Sequence, residues 1–316
     1  MKSENIGHIQ DLANRLKENI GKVIVGKDSV MDLIITAMIC SGHILLEDIP
    51  GTGKTMMAKA LSKSLSADFS RIQFTPDLLP SDLIGLNYYN QKVGEFVFKR
   101  GPLMNQIVLA DEINRATPRT QSSLLEAMEE HQITVDGVTY KLKEPFFVMA
   151  TQNPLEIAGT FPLPEAQLDR FFMQLSMGYP SRDESKQILK RFRKENPLEE
   201  LEAVVSTDTL LFARQVYSDV HMSEDVMDYM LELIEGTRSH EAVSLGVSPR
   251  GALALYKGSQ AYAALQGRSY VLPDDVKRLF KPILAHRIKL VDPYTTQVHQ
   301  ILDGLLSKTA VPTEKI

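Results

Sequence analysis

The chain has 316 residues, enough for one large or two ordinary domains, with the apolar and charged content of a soluble globular protein. Its formal net charge of −5 gives no general attraction for nucleic acid, and its single cysteine, Cys40, excludes an intramolecular disulfide and fits a reducing compartment. Met1 to Asn5 lacks the apolar run of a signal peptide. The most apolar window, Val30 to Leu46, is broken by Asp32, Ser41, Gly42 and His43 and is too short to span a bilayer, so a cytoplasmic protein is expected.

Ile6 to Asn19 carries Ile9, Leu12 and Leu16 at helical spacing, and Ser29 to Ile39 reads as a second helix with Val30, Leu33, Ile34, Ala37 and Met38 inward. Cys40 follows it, where an inert core thiol is the plain reading. Ile44-Leu45-Leu46 reads as a buried strand, and Met56 to Ser66 as a helix. Four more apolar runs, Phe69 to Phe74, Ile107 to Ala110, Phe146 to Ala150 and Phe172 to Ser176, predict parallel strands in a layered α/β domain. Two segments break the alternation as hairpins, Asn87 to Phe98 and Ile133 to Tyr140. In the second, Asp136-Gly137 predicts a two-residue turn pairing Val135 with Val138 and Ile133 with Tyr140. Each hairpin either packs on its own domain or projects toward a partner. Beyond Tyr179-Pro180 only helices are predicted, near 182–195, 207–218, 223–238, 249–266, 273–288 and 294–306, which sets domains of 1–178 and 179–316.

The segment between the first strand and its helix reads Glu47-Asp48-Ile49-Pro50-Gly51-Thr52-Gly53-Lys54-Thr55. It matches the phosphate-binding pattern G-x-x-x-x-G-K-[ST] except at its first glycine, where this chain has Asp48. Asp48, Pro50, Gly51, Thr52, Gly53, Lys54, Thr55 and Met56 are the expected nucleotide contacts, with Lys54 on the β- and γ-phosphates and Thr55 on Mg²⁺. The strand Ile107 to Ala110 ends in Asp111-Glu112, expected to hold the metal and to activate a water; a nucleotide switch that does not hydrolyse has no use for the second acid. Asn153, after the next strand, is expected beside Asp111. Arg170 precedes the last strand and is placed to reach a neighbouring subunit's γ-phosphate, with Arg115 and Arg119 as competitors; the plain alternative pairs Arg170 with Asp169 or a helix-end carbonyl. Ser248-Pro249-Arg250-Gly251 opens a helix with a cation in its first turn, an unfavourable choice that points to a bound anion. The seven histidines show no metal-ligand spacing.

Gly53-Lys54-Thr55, Asp111-Glu112, Asn153, Arg170 and Arg250, in that order, resemble the AAA+ ATPases. Within them, Glu112-Ile113-Asn114-Arg115-Ala116, Thr151-Gln152-Asn153-Pro154, the run from Leu163 to Phe171 and Ser248-Pro249-Arg250-Gly251 look like the MoxR family. The resemblance implies a five-stranded, three-layer P-loop domain with two hairpin insertions, an all-α lid, and ATP with Mg²⁺ between subunits of a ring, usually hexameric. It implies Walker A at Lys54 and Thr55, Walker B at Asp111 and Glu112, sensor 1 at Asn153, an arginine finger at Arg170 and sensor 2 at Arg250, with Val25 and Gly26 bordering the adenine. It further implies chaperone-like work on a protein client beside a von Willebrand factor A domain partner. A magnesium-chelatase-like motor, a nucleic-acid motor or transcriptional activator, and a monomeric P-loop kinase are the other readings. The second requires hairpins basic or aromatic at the tip, whereas Asp136-Gly137 caps one and Lys92 is offset by Glu95 in the other; the last leaves Arg170 and the lid without a role. Asp48, and Lys27 where the family commonly has glutamine, depart from its usual pattern.

Overall fold

The computed structural model of the chain describes residues 2–153, 159–193, 196–292, 294 and 296–312. Pro154, the last two residues of the helix expected over 182–195, and Thr295 lie outside them. In chain order the strands are β1 (Ile44–Glu47), β2 (Phe69–Gln73), β3 (Gly85–Asn90), β4 (Glu95–Arg100), β5 (Ile107–Asp111) and β6 (Gln132–Val135). They continue with β7 (Val138–Lys141), β8 (Phe147–Gln152), β9 (Met173–Leu175), β10 (Val243–Leu245) and β11 (Lys289–Leu290). The helices are α1 (Lys2–Gly21), α2 (Asp28–Ile39), α3 (Lys54–Ser64), α4 (Pro80–Ile84), α5 (Pro118–Glu130) and α6 (Glu165–Leu168). Six more follow the sheet: α7 (Arg182–Arg191), α8 (Thr207–Val216), α9 (Glu224–Ser239), α10 (Pro249–Leu265), α11 (Pro273–Leu284) and α12 (Val298–Lys308).

The five apolar runs form one parallel sheet in the order β2-β5-β8-β1-β9. Side chains alternate across it with period two, so that Ile107, Leu109, Phe147 and Met149 face one layer while Val108, Ala110, Val148 and Ala150 face the other. α1, α2 and α3 cover the first face and α5 the second, which is why the inner strands β1, β5 and β8 read as nearly unbroken apolar runs while the edge strand β2 does not. The first layer's apolar cluster continues without a break into α8, α9, α10 and α11, so the lid packs on α1 and α2. After β9 the described residues form helices and one short ribbon in which β10 pairs with β11. Two residues is too little for a period-two pattern to declare a strand.

Both hairpins form. β6 and β7 pair with Val135 opposite Val138 and Ile133 opposite Tyr140, and β3 pairs with β4 from Gly85–Arg100 to Asn90–Glu95. The hairpins lean on each other: the Phe98 ring stacks on Tyr140 at 4.5 Å, and Asn87 Nδ2 donates to Asp136 Oδ2 at 2.7 Å. Beyond that contact Tyr89 and Phe96 form an edge-to-face pair near the tip, exposed at 54% and 74%.

Candidate functional site

The phosphate loop takes its shape from two glycines and the helix behind it. Gly51 and Gly53 have φ of 85° and 93°, a region costly for residues with a Cβ, and Gly53 leads directly into the 11-residue α3. The loop sits at the C-terminal end of β1, and Asp111, Glu112 and Asn153 leave β5 and β8 at the same end of the sheet. Pro50, Gly51, Gly53, Lys54, Thr55, Met56, Asp111, Glu112 and Asn153 line one cavity of about 590 Å³. Lys54 Nζ donates to the Asp48 carbonyl at 2.9 Å.

Two residues absent from the sequence expectation complete this cavity. Gln73 stands opposite Asp111 in the β2–β5 register, which brings the end of β2 against both acids. Arg71 Nη2 donates to Asp111 Oδ2 at 2.7 Å, and Gln73 Nε2 donates to Glu112 Oε2 at 2.7 Å. Arg115 Nε lies 3.2 Å from the same Glu112 oxygen. The Thr151 hydroxyl donates to Asp111 Oδ1 at 2.6 Å and accepts the Glu112 N–H at 2.9 Å. That bond holds Glu112 at φ 57°, ψ 52°, a left-handed conformation uncommon for glutamate and typical of strained functional turns. Asp111 and Thr55 offer hard oxygen donors in the one cavity and suit Mg²⁺. Among the described residues, no three His, Cys, Asp or Glu side chains cluster as a dedicated metal cage.

The Asp48 side chain is engaged elsewhere than at the phosphate loop's cavity. Its buried carboxylate faces away from the cavity, accepting the Ser176 hydroxyl at 2.8 Å and the N–H groups of Met177 and Gly178 at 2.6 and 3.1 Å. A glycine could not make these bonds, so the departure from the glycine pattern clasps the phosphate loop to the segment leaving β9. Thr52 does not line the cavity either; its hydroxyl lies 3.4 Å from the Ile49 carbonyl. Val25 and Gly26 lie in a separate cavity of about 530 Å³ between α1 and α7, where a Cβ on Gly26 would strike Glu184.

Arg170 and Arg250 come together, but elsewhere. They line a cavity of about 390 Å³ with Glu129, Asp169, Lys257 and Arg287 at the N-terminal ends of β1 and β9. β9 is hydrogen-bonded directly to β1, so Arg170 precedes the strand next to the one that leads into the phosphate loop. What separates them is strand direction: in a parallel sheet, residues before a strand and residues after its neighbour lie at opposite ends, here roughly 10–13 Å apart at about 3.3 Å per residue. Glu129 Oε2 lies 3.1 Å from Arg170 Nε, and Glu129 Oε1 pairs with Arg250 Nη2. Asp169 is held by Arg287 Nε at 2.7 Å and the Ser248 hydroxyl, so the plain pairing of Arg170 with Asp169 does not form. Ser248 caps α10 by accepting the Gly251 N–H at 3.2 Å, with Pro249 first in the helix.

Two buried histidines brace this end. His43 accepts the Val148 N–H at Nδ1 and faces the Met128 carbonyl through Nε2, each at 3.0 Å, which fixes its neutral tautomer. His286 Nε2 meets the Phe171 carbonyl at 3.0 Å. Burial pushes both imidazoles down to about 3. Burial also pushes the Cys40 thiol far up, in keeping with an inert thiol.

Residues 43–173 match the model of the ATPase family associated with various cellular activities, and residues 235–303 match that of the AAA lid domain. Chaperone MoxR1 of Mycobacterium tuberculosis is 36% identical over 93% of this chain and 80% of its own. The chain belongs to the MoxR family of AAA+ ATPases. The uncharacterised protein YeaC of Bacillus subtilis is 49% identical over 97% of both chains. The crystal structure of a putative ATPase from Cytophaga hutchinsonii superposes with a TM-score of 0.91 at 37% identity, covering 98% of each chain. No helix among the described residues is long and apolar enough to cross a membrane.

Proposed function

We propose that this MoxR-family chain hydrolyses ATP at a site shared between two copies in a ring and uses the turnover to remodel a protein client. The observation that carries the reading is the placement of Arg170 and Arg250 together at the sheet end opposite Lys54, Thr55, Asp111 and Glu112. One subunit supplies the phosphate loop and acids, and the next supplies both arginines. The N–H groups at the start of α3 and the Lys54 ammonium hold the phosphates. Glu112, released from Gln73 and Arg115, takes a proton from the water that attacks the γ-phosphorus, the bond to the bridging oxygen breaks, and ADP leaves. Asn153 orients that water, and Arg170 and Arg250 stabilise the charge spreading over the transferred phosphate. Asp111 and Thr55 would hold Mg²⁺, which would supply charge neutralisation to the phosphates.

The test is complementation between subunits. Arg170→Ala keeps ATP binding and loses turnover by roughly 10³-fold or more, the scale of an arginine finger. Mixing it with Lys54→Ala restores part of the activity at hybrid interfaces; no rescue at any mixing ratio sinks the shared site. A ring, usually a hexamer, and a von Willebrand factor A domain partner are what the family resemblance adds to this reading. The exposed Tyr89 and Phe96 pair meets the aromatic-tip condition for the nucleic-acid alternative. Salt-dependent DNA binding at physiological ionic strength would favour that alternative over a protein client.

A further inference from the structure

We propose that Glu129 is an internal surrogate for the γ-phosphate: its carboxylate holds Arg170 and Arg250 within one subunit, and the phosphate presented by a neighbouring subunit takes its place. The inference rests on the proposed reading of these arginines as acting on the neighbour's site. Each oxygen of Glu129 serves one guanidinium, Oε2 that of Arg170 and Oε1 that of Arg250. A phosphoryl group offers the same pair of acceptors with more charge. The local sequence gives no other reason for an acid there. Glu129 lies in the last turn of α5, where the helix dipole disfavours an anion and no basic residue of that turn compensates. Asp169, the other carboxylate of the cavity, is already taken by Arg287 and Ser248.

Exchange is physically easy. The Glu129 and Arg170 side chains are about one-third exposed and that of Arg250 about half, so solvent and a partner reach all three. Ion pairs this exposed contribute little, so a group of higher charge displaces the carboxylate. Two guanidiniums against one carboxylate leave a positive excess that still draws an anion in. Glu129 is then a positioning residue: it keeps the two arginines convergent and sets the threshold at which a neighbour engages them.

The experiment measures assembly separately from turnover. In a Glu112→Gln background with ATP, sedimentation velocity over a range of protein concentrations gives the concentration for half-assembly. Glu129→Gln keeps size and removes charge, and Glu129→Asp is too short to bridge both arginines. Both are expected to lower the half-assembly concentration by about three- to tenfold, from the small energies of exposed pairs. An unchanged or raised half-assembly concentration for Glu129→Gln overturns the surrogate role. Arg170→Ala and Arg250→Ala in the same assay separate the premises. If both leave ATP-dependent assembly untouched, the shared-site reading falls with the proposal. If they weaken assembly while Glu129→Gln fails to strengthen it, the surrogate alone is wrong.

Discussion

The two ends of the parallel sheet, which the proposed reading makes two halves of a shared site, neutralise themselves in opposite ways. At the C-terminal end Asp111 and Glu112 are the chemically committed groups, and the basic and amide side chains Arg71, Arg115 and Gln73 answer them. At the N-terminal end the committed groups are Arg170 and Arg250, and one acid answers both. The C-terminal end is assembled from strand ends and a glycine loop, so its geometry is fixed by the sheet register. The N-terminal end is assembled from helix termini of different layers and braced by buried neutral histidines. Under the proposed reading each end holds its groups convergent with a counter-charge supplied from its own chain.

The contrast can be broken most directly at the acid end. Glu112→Gln is expected to lower ATP turnover by about 10²- to 10⁴-fold, the span of general base catalysis, while nucleotide stays bound. Turnover near wild type, measured by phosphate release, would remove Glu112 as the base. The histidine bracing sharpens the other side. His43 and His286 sit at about 3 in the folded chain, against about 6.5 for an unfolded histidine. Between those values the unfolded state takes up protons and the folded state does not, so stability falls as pH drops below about 6.5 and rises with pH up to that point. The slope is at most about 1.4 kcal/mol per pH unit for each histidine. Urea unfolding at pH 7 and pH 5 checks it, and His43→Gln should flatten the dependence. The smallest effect is at Arg71. Arg71→Ala removes a cation that competes with Mg²⁺ for Asp111, so half-saturating Mg²⁺ for binding of a fluorescent ATP analogue should fall about two- to fivefold. A rise would mean that Arg71 contacts the nucleotide instead.

Much of this was legible in the chain. The five apolar runs sit where β1, β2, β5, β8 and β9 form, and Asp136-Gly137 sets the Val135–Val138 register as expected. The lid helices fall close to their predicted spans; four of them, α7 to α10, start at serine caps, Ser181, Ser206, Ser223 and Ser248. Lys54, Thr55, Asp111, Glu112 and Asn153 share a cavity as their positions at strand ends implied. What stayed hidden depends on strand order and on partners far along the chain. That β9 lies beside β1 is a long-range fact, and it changes why Arg170 faces away from its own phosphate loop. Arg71 and Gln73 became visible only once β2 stood against β5. Glu129 was one of several acids on a helix until the fold brought two arginines to it.

Asp48 has a mechanical consequence. Because its carboxylate fastens Ser176, Met177 and Gly178 to the root of the phosphate loop, those residues cannot serve as a loose hinge while the three bonds last. Any swing of the lid that spares them has to pivot past Gly178. The nucleotide loop and the first residues of the connection therefore turn as a single rigid corner, and the residue that looked like a missing glycine is the bolt through it.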